Sequence, residues 1–158
     1  SFYVSTLPRM ATFPELLTIS GKQGARNIIS NSSSLVSVSF PKLTTLGLQS
    51  FLEAFYYDTS LTSVSLPKLT TVGDQALARA FYQCSSLTSI SFPKLSTIQG
   101  NPFSYKEYSW SSPTYETFKY CSLLTEIHFP AEIQATIEGL DGYSSKFGAS
   151  NATIYFDL

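Results

Sequence analysis

A chain of 158 residues has room for one domain with a continuous core. Ten basic against eleven acidic residues leave a net charge of −1, and charged residues make up only 13% of the chain, so no global field favours nucleic acid or an acidic membrane surface. Aromatics reach 15%, which excludes a disordered chain, and no apolar run approaches the roughly 18 residues of a membrane span.

The chain opens at Ser1 with no charged-then-apolar leader, so any export signal is expected to lie outside this sequence. One phrase then recurs three times, at Leu35–Leu46, Leu61–Val72 and Leu87–Ile98. Anchored on the apolar residue before proline, the copies fall at Phe13, Phe40, Leu66, Phe92 and Phe129, with Phe156 continuing the series without a proline. The steps are 27, 26, 26, 37 and 27 residues, the signature of a solenoid with one insertion. Within a unit, Leu61, Val64 and Leu66 predict a short strand with Val64 and Leu66 inward and Ser63 and Ser65 outward. Successive strands then pair as a parallel sheet. Pro67 ends each such strand, and Leu69 and Val72 supply inward contacts along a second side. Gly73-Asp74 predicts a turn and an N-cap for a helical stretch Gln75–Cys84, whose Leu77, Phe81 and Cys84 share one face.

The expected architecture is an α/β leucine-rich-repeat, right-handed solenoid of about five to six coils, with a parallel sheet on one face and short helical segments on the other. It forms a single domain over residues 1–158: an N-terminal cap at about 1–29 with Pro8 in a degraded strand, repeats at about 30–130, an insertion at about 100–114, and a C-terminal cap at about 131–158. Ala80-Phe-Tyr-Gln-Cys-Ser-Ser-Leu-Thr-Ser-Ile90 and Phe92-Pro-Lys-Leu-Ser-Thr-Ile98 resemble the BspA-type leucine-rich repeat, with Asp58 and Ser32 standing at the Cys position of two coils. The resemblance implies a bacterial surface or secreted protein, extracellular in location, whose usual role is adhesion or protein binding.

Chemistry-bearing residues are few. His128 stands alone, on the outward strand position shared with Ser39, Ser65, Ser91 and Tyr155; with Glu126 it could bind a metal weakly or polarise a hydroxyl, an unspecific pair. No catalytic, cofactor or structural-metal motif is present, and an enzyme is disfavoured. Cys84 and Cys121 occupy equivalent positions in adjacent coils, readable as a bridge or as two buried thiols, with buried thiols favoured. Lys42, Lys68 and Lys94 stack as a basic row that would hold an anion weakly or remain solvated. Glu53, Arg79 and Glu116 share a column that predicts an ion-pair ladder.

The insertion places Phe103, Tyr105, Tyr108 and Trp110 between two prolines and Tyr115 just after the second, a Tyr/Trp/Ser composition suited either to recognition or to packing over the coil. The expected function is therefore non-enzymatic binding of a protein or glycan through Tyr105, Tyr108, Trp110 and Tyr115 together with the Glu126, His128 and Tyr155 end of the sheet. The alternative is a spacer solenoid without a ligand, in a larger surface or prophage-encoded protein. Neither reading involves a cofactor, nucleic acid or membrane insertion, and both expect a longer parent chain.

Overall fold

Proline after a short apolar strand makes each coil turn its first corner. The computed structural model describes residues 9–158. Among them ten strands follow in order: β1 (Met10–Thr12), β2 (Thr18–Ile19), β3 (Ser37–Ser39), β4 (Thr45–Leu46), β5 (Ser63–Ser65), β6 (Thr71–Val72), β7 (Ser89–Ser91), β8 (Thr97–Ile98), β9 (Glu126–His128) and β10 (Thr153–Tyr155). The odd strands up to β9, followed by β10, line one side of a solenoid of about five turns. They form the parallel ladders β1-β3-β5 and β7-β9-β10, with β5 beside β7. β2, β4, β6 and β8 form a second parallel ladder round the corner. At that corner Pro41, Pro67 and Pro93 sit second in turns closed by Leu43 N–H to Phe40 O (3.4 Å), Leu69 N–H to Leu66 O (3.4 Å) and Leu95 N–H to Phe92 O (3.2 Å). Proline suits this position because its ring presets the required φ and its missing N–H is not needed.

Register follows the repeat. Ser37 lies opposite Met10 and Ser63, and Glu126 opposite Ser89 and Thr153, so sequence columns become surface rows. Hydroxyls then join coil to coil: Thr44 Oγ1 donates to Leu17 O (3.1 Å), Thr70 Oγ1 to Thr44 O (3.1 Å) and Ser96 Oγ to Thr70 O (3.4 Å). Part of the Ser/Thr excess is thus structural, each hydroxyl adding a donor to a corner carbonyl that already accepts one or two backbone N–H groups from the next coil.

The third side departs from the expected helix. Gln75–Cys84 is a run of consecutive turns in which Gln75, Arg79 and Gln83 have positive φ (53°, 49° and 57°), as do Gln49, Glu53 and Tyr57 one coil earlier. Alternate N–H groups point to the next coil: Phe51 to Ala76 O (2.9 Å), Glu53 to Ala78 O (2.9 Å), Phe55 to Ala80 O (2.8 Å) and Tyr57 to Tyr82 O (2.9 Å). The N–H groups between them close local turns, such as Ala54 to Phe51 O (3.1 Å). An α-helix would aim every N–H along its own axis and leave nothing to bond the neighbouring coil. The inter-coil bonds offset the roughly 1–2 kcal/mol cost of each left-handed residue. The four-residue spacing of Leu77 and Phe81 is common to both conformations, and so periodicity does not separate them. Fully buried Ala76, Ala78 and Ala80 supply the small side chains this close approach needs.

Helical structure among the described residues lies near the C-terminus, in α1 (Gln134–Glu138) and two short 3₁₀ turns. Phe rings fill the interior as stacks along the solenoid: Phe13 on Phe40 (4.9 Å), Phe92 on Phe129 (5.3 Å), and Phe55, Phe81 and Phe118 in one column (5.5 and 5.7 Å). Of the expected N-terminal cap, residues 1–8, Pro8 included, lie outside the described residues.

Candidate binding surface

The insertion leaves the coil between two inter-coil hydrogen bonds. Leu77 N–H bonds Pro102 O (2.8 Å) before the loop and Phe81 N–H bonds Thr117 O (3.1 Å) after it. The buried Thr117 hydroxyl pins the junction by donating to Leu77 O (2.9 Å), with Phe103 O at 3.3 Å. Asn101, Pro102 and Phe103 therefore belong to the coil, and Phe103 is buried with its ring stacked on Phe147 at 4.1 Å. The excursion proper is closed by a two-way bond between Tyr105 and Thr114 (2.7 and 2.8 Å).

This geometry divides the insertion's aromatics. Tyr105 is partly buried, with the Arg79 guanidinium 4.3 Å from its ring centroid, an electrostatically favourable cation–π placement. Tyr115 lies against Gly142, where an added Cβ would sit 2.4 Å from its Cγ, and its hydroxyl meets Asp141. Tyr108 and Trp110 instead project from the tip, stacked on each other at 5.1 Å and 7°. Trp110 is 82% exposed and Tyr108 53%. A turn holds the tip in shape, with Ser111 Oγ donating to Tyr108 O (2.8 Å) and Ser111 N–H bonding the same oxygen (3.0 Å).

At the C-terminal end of the sheet, His128 bridges two carboxylates. Its Nδ1 is 2.8 Å from Asp157 Oδ1 and its Nε2 3.2 Å from Glu126 Oε2, while its ring stacks on Tyr155 at 5.0 Å. Burial works against the charged ring, but the Asp157 and Glu126 bonds outweigh it and raise the pKa above the ordinary 6.5. Asp157 was not among the sequence candidates; its position one strand over, past Tyr155, is the signal that could have found it. In its protonated form His128 donates from both ring nitrogens to these acceptor-only carboxylates, so the three side chains act as a charge clamp. A raised histidine pKa stabilises the fold fully below the unfolded value, and that stability is lost as pH rises through the folded pKa. An NMR titration of His128 is expected to show a midpoint above 6.5, and Asp157→Asn should lower it; a midpoint insensitive to that change would contradict the clamp.

The remaining rows are less uniform than their columns suggest. Lys42 pairs with Glu15 at 2.9 Å, while Lys68 and Lys94 are exposed and have no carboxylate partner among the described residues. On the turn side, Arg79 pairs with Glu116 (2.9 Å), which also meets Lys119 (3.2 Å), whereas Glu53 turns to Arg26 (2.8 Å) and not to Arg79. Tyr56, Tyr57, Tyr82 and Tyr120 form a half-exposed aromatic cluster beside these pairs, including the Tyr56–Tyr82 stack at 4.9 Å. Tyr56 and Tyr82 share one column of the repeat and Tyr57 and Tyr120 the next, so the register of the repeat is the signal that could have found this cluster. Cys84 and Cys121 are free, buried thiols that donate to Phe55 O (3.1 Å) and Phe81 O (2.9 Å) of the preceding coils. Burial pushes both pKa values up, that of Cys121 to about 12, so neither is a reactive thiolate.

A small cleft opens where the insertion base meets the first two coils. Its volume is about 180 Å³, and its walls include Lys22, Arg26, Gln49, Tyr105, Lys106 and Glu107. Sequence reasoning could not join residues so far apart. Among the described residues no helix is long and apolar enough to cross a membrane.

A parallel stack of 26-residue coils with Ala/Phe/Cys-lined turns defines a leucine-rich-repeat solenoid, here carrying an aromatic excursion. The model of the BspA-type leucine-rich-repeat region matches six copies, over residues 2–109 and 52–140, and the chain belongs to that family. Among solved structures, the leucine-rich-repeat protein of T. pallidum is similar, at 16% identity and a TM-score of 0.49, over 96% of this chain and 70% of that one. No curated protein matches the chain.

Proposed function

We propose that this chain is a non-enzymatic recognition module of a bacterial surface or secreted protein. It contacts a protein or glycan through Tyr108 and Trp110, assisted by the Glu126, His128 and Tyr155 end of the sheet. The observation that carries this reading is the stacked Tyr108–Trp110 pair, held outward with Trp110 82% exposed on a loop fastened at its base. A large apolar surface displayed in a fixed geometry loses little conformational entropy on binding, as in rigid aromatic anchors of recognition loops. Membership of a family of repeat modules often associated with protein binding and adhesion supports the same reading.

Trp110→Ala and Tyr108→Ala, assayed by circular dichroism and by binding to host-protein and glycan panels, test it. Each variant should keep the parental fold and melting temperature while weakening binding by about tenfold or more. Unchanged binding in both variants would refute the loop-tip site, and absence of any ligand for the parent chain would favour a spacer.

A further inference from the structure

The two carboxylates that flank His128 at the end of the sheet are not held equally. Nδ1 lies 2.8 and 3.0 Å from the two oxygens of Asp157, whereas Nε2 meets Glu126 Oε2 alone, at 3.2 Å. The ring between them is fixed, stacked on Tyr155 at 5.0 Å and 15° with its side chain only 18% exposed. The backbone on either side of Asp157 is fixed as well. Tyr155 O accepts the Phe129 N–H (2.9 Å), Leu158 O accepts the Ala131 N–H (3.2 Å), and the Leu158 N–H reaches Phe129 O (3.4 Å). Glu126 is half exposed and makes no other side-chain hydrogen bond among the described residues.

A protonated ring has an N–H for each carboxylate. A neutral ring has one proton, and its other nitrogen turns a lone pair toward a group that can only accept, so one of the two contacts must break. Shorter hydrogen bonds to a carboxylate are the stronger ones, which keeps the proton on Nδ1 with Asp157. Glu126 is then the group released, and an exposed side chain rotates into water at little cost. The groups facing His128 are Ser91 from β7, Tyr155 from β10, Asp157 after β10 and Glu126 on its own strand. Of these the two carboxylates are the charged ones, so no second cation replaces the lost proton.

We propose that His128 is a pH-operated latch on Glu126: the protonated ring holds the Glu126 carboxylate against the sheet face, and the neutral ring, still bonded to Asp157, releases it as a free acceptor. The freed carboxylate lies in the outward row between Ser89 and Thr153. The inference rests on the reading of this end of the sheet as part of the binding surface and adds its regulation. Burial pulls the ring toward its neutral form, but the Asp157 and Glu126 bonds outweigh it, so the latch opens above pH 6.5. An acidic medium keeps Glu126 engaged, and an alkaline one makes it available.

The test is NMR of the full chain from about pH 5 to about pH 9, reading the His128 ring nitrogens and the three-bond couplings about Glu126 χ1. Above the His128 midpoint the ring should be the Nδ1–H tautomer, and the Glu126 couplings should pass from those of one rotamer to an average at that same midpoint. An Nε2–H tautomer, or couplings unchanged through the midpoint, would overturn the latch. Asp157→Asn keeps the shape but can donate to a bare Nδ1, so the neutral ring should move its proton to Nε2 and hold Glu126 at every pH; an Nδ1–H tautomer in this variant would count against the proposal. His128→Ala should give averaged Glu126 couplings throughout, and a fixed rotamer there would show that another group holds the carboxylate. No ligand enters these measurements, so the two readings fail separately. A working latch without Trp110-dependent panel binding sinks the recognition site alone, and a pH-invariant Glu126 with Trp110-dependent binding sinks the latch alone.

Discussion

Replacing Phe81 with alanine is expected to lower stability by about 3–5 kcal/mol, the usual cost of removing a large aromatic from a packed interior. Phe81 is fully buried between Phe55 (5.5 Å, 13°) and Phe118 (5.7 Å, 6°), so the deletion opens a gap in the middle of a three-ring column. In a solenoid each coil touches only its neighbours, and no remote element can move in to fill the gap. Its backbone is also tethered on both sides, through Phe55 N–H to Ala80 O (2.8 Å) and Phe81 N–H to Thr117 O (3.1 Å), which limits collapse. Urea unfolding followed by circular dichroism measures the loss. Lys94→Ala, exposed and without a carboxylate partner among the described residues, is the control and should cost under about 1 kcal/mol. A Phe81→Ala cost as small as the control's would contradict the stacked core.

Asp58 is expected to make the protein less stable as the pH rises toward neutrality. It stands at the column position of Cys84 and Cys121, fully buried, with Oδ1 accepting the Ser32 N–H (2.8 Å) and Oδ2 lacking a partner. Burial raises its pKa from an ordinary 3.8 to about 7, with the Ser32 bond pulling the other way. The unfolded chain releases this proton near 3.8 while the folded chain keeps it to about 7, so between those values the native state binds more protons. The stabilising contribution is fully present below the unfolded pKa and is lost as pH rises through the folded one. Its size is up to about 4 kcal/mol, at 1.36 kcal/mol for each tenfold change in proton affinity. Asp58→Asn removes the titration and keeps an acceptor for Ser32. The variant should be more stable than the parent at pH 8 and should have a flatter stability profile between pH 4 and 7. A profile of unchanged slope would show that Asp58 is not the group responsible.

Both expectations concern columns that were visible as columns before the structure was known. The Phe and Leu positions before proline, the serine rows and the Cys/Asp/Ser column could all be read from one repeated phrase, because in a solenoid a fixed step in sequence is a fixed step in space. The third side could not. Leu77, Phe81 and Cys84 fit a helix by spacing, and what decided against it was the pull of Ala76, Ala78 and Ala80 carbonyls on the preceding coil's N–H groups. The insertion was recognisable as foreign to the repeat, but its inward and outward aromatics were not separable. Phe103 and Tyr115 became packing residues because Phe147 and Gly142 happen to lie beside them, whereas Trp110 stacks on Tyr108 at the loop tip and stays 82% exposed.

Sequence alone therefore determined the solenoid repeat, the approximate number of coils, the sheet rows and the location of the insertion, since these depend on periodicity and on proline's local geometry. Tertiary structure decided which partners share a site. Asp157 against His128 and Arg26 against Glu53 are juxtapositions between residues of different coils and different offsets. The physical reason is that register fixes backbone positions by repetition, whereas side-chain pairing depends on rotamer, charge and the few residues that break the repeat.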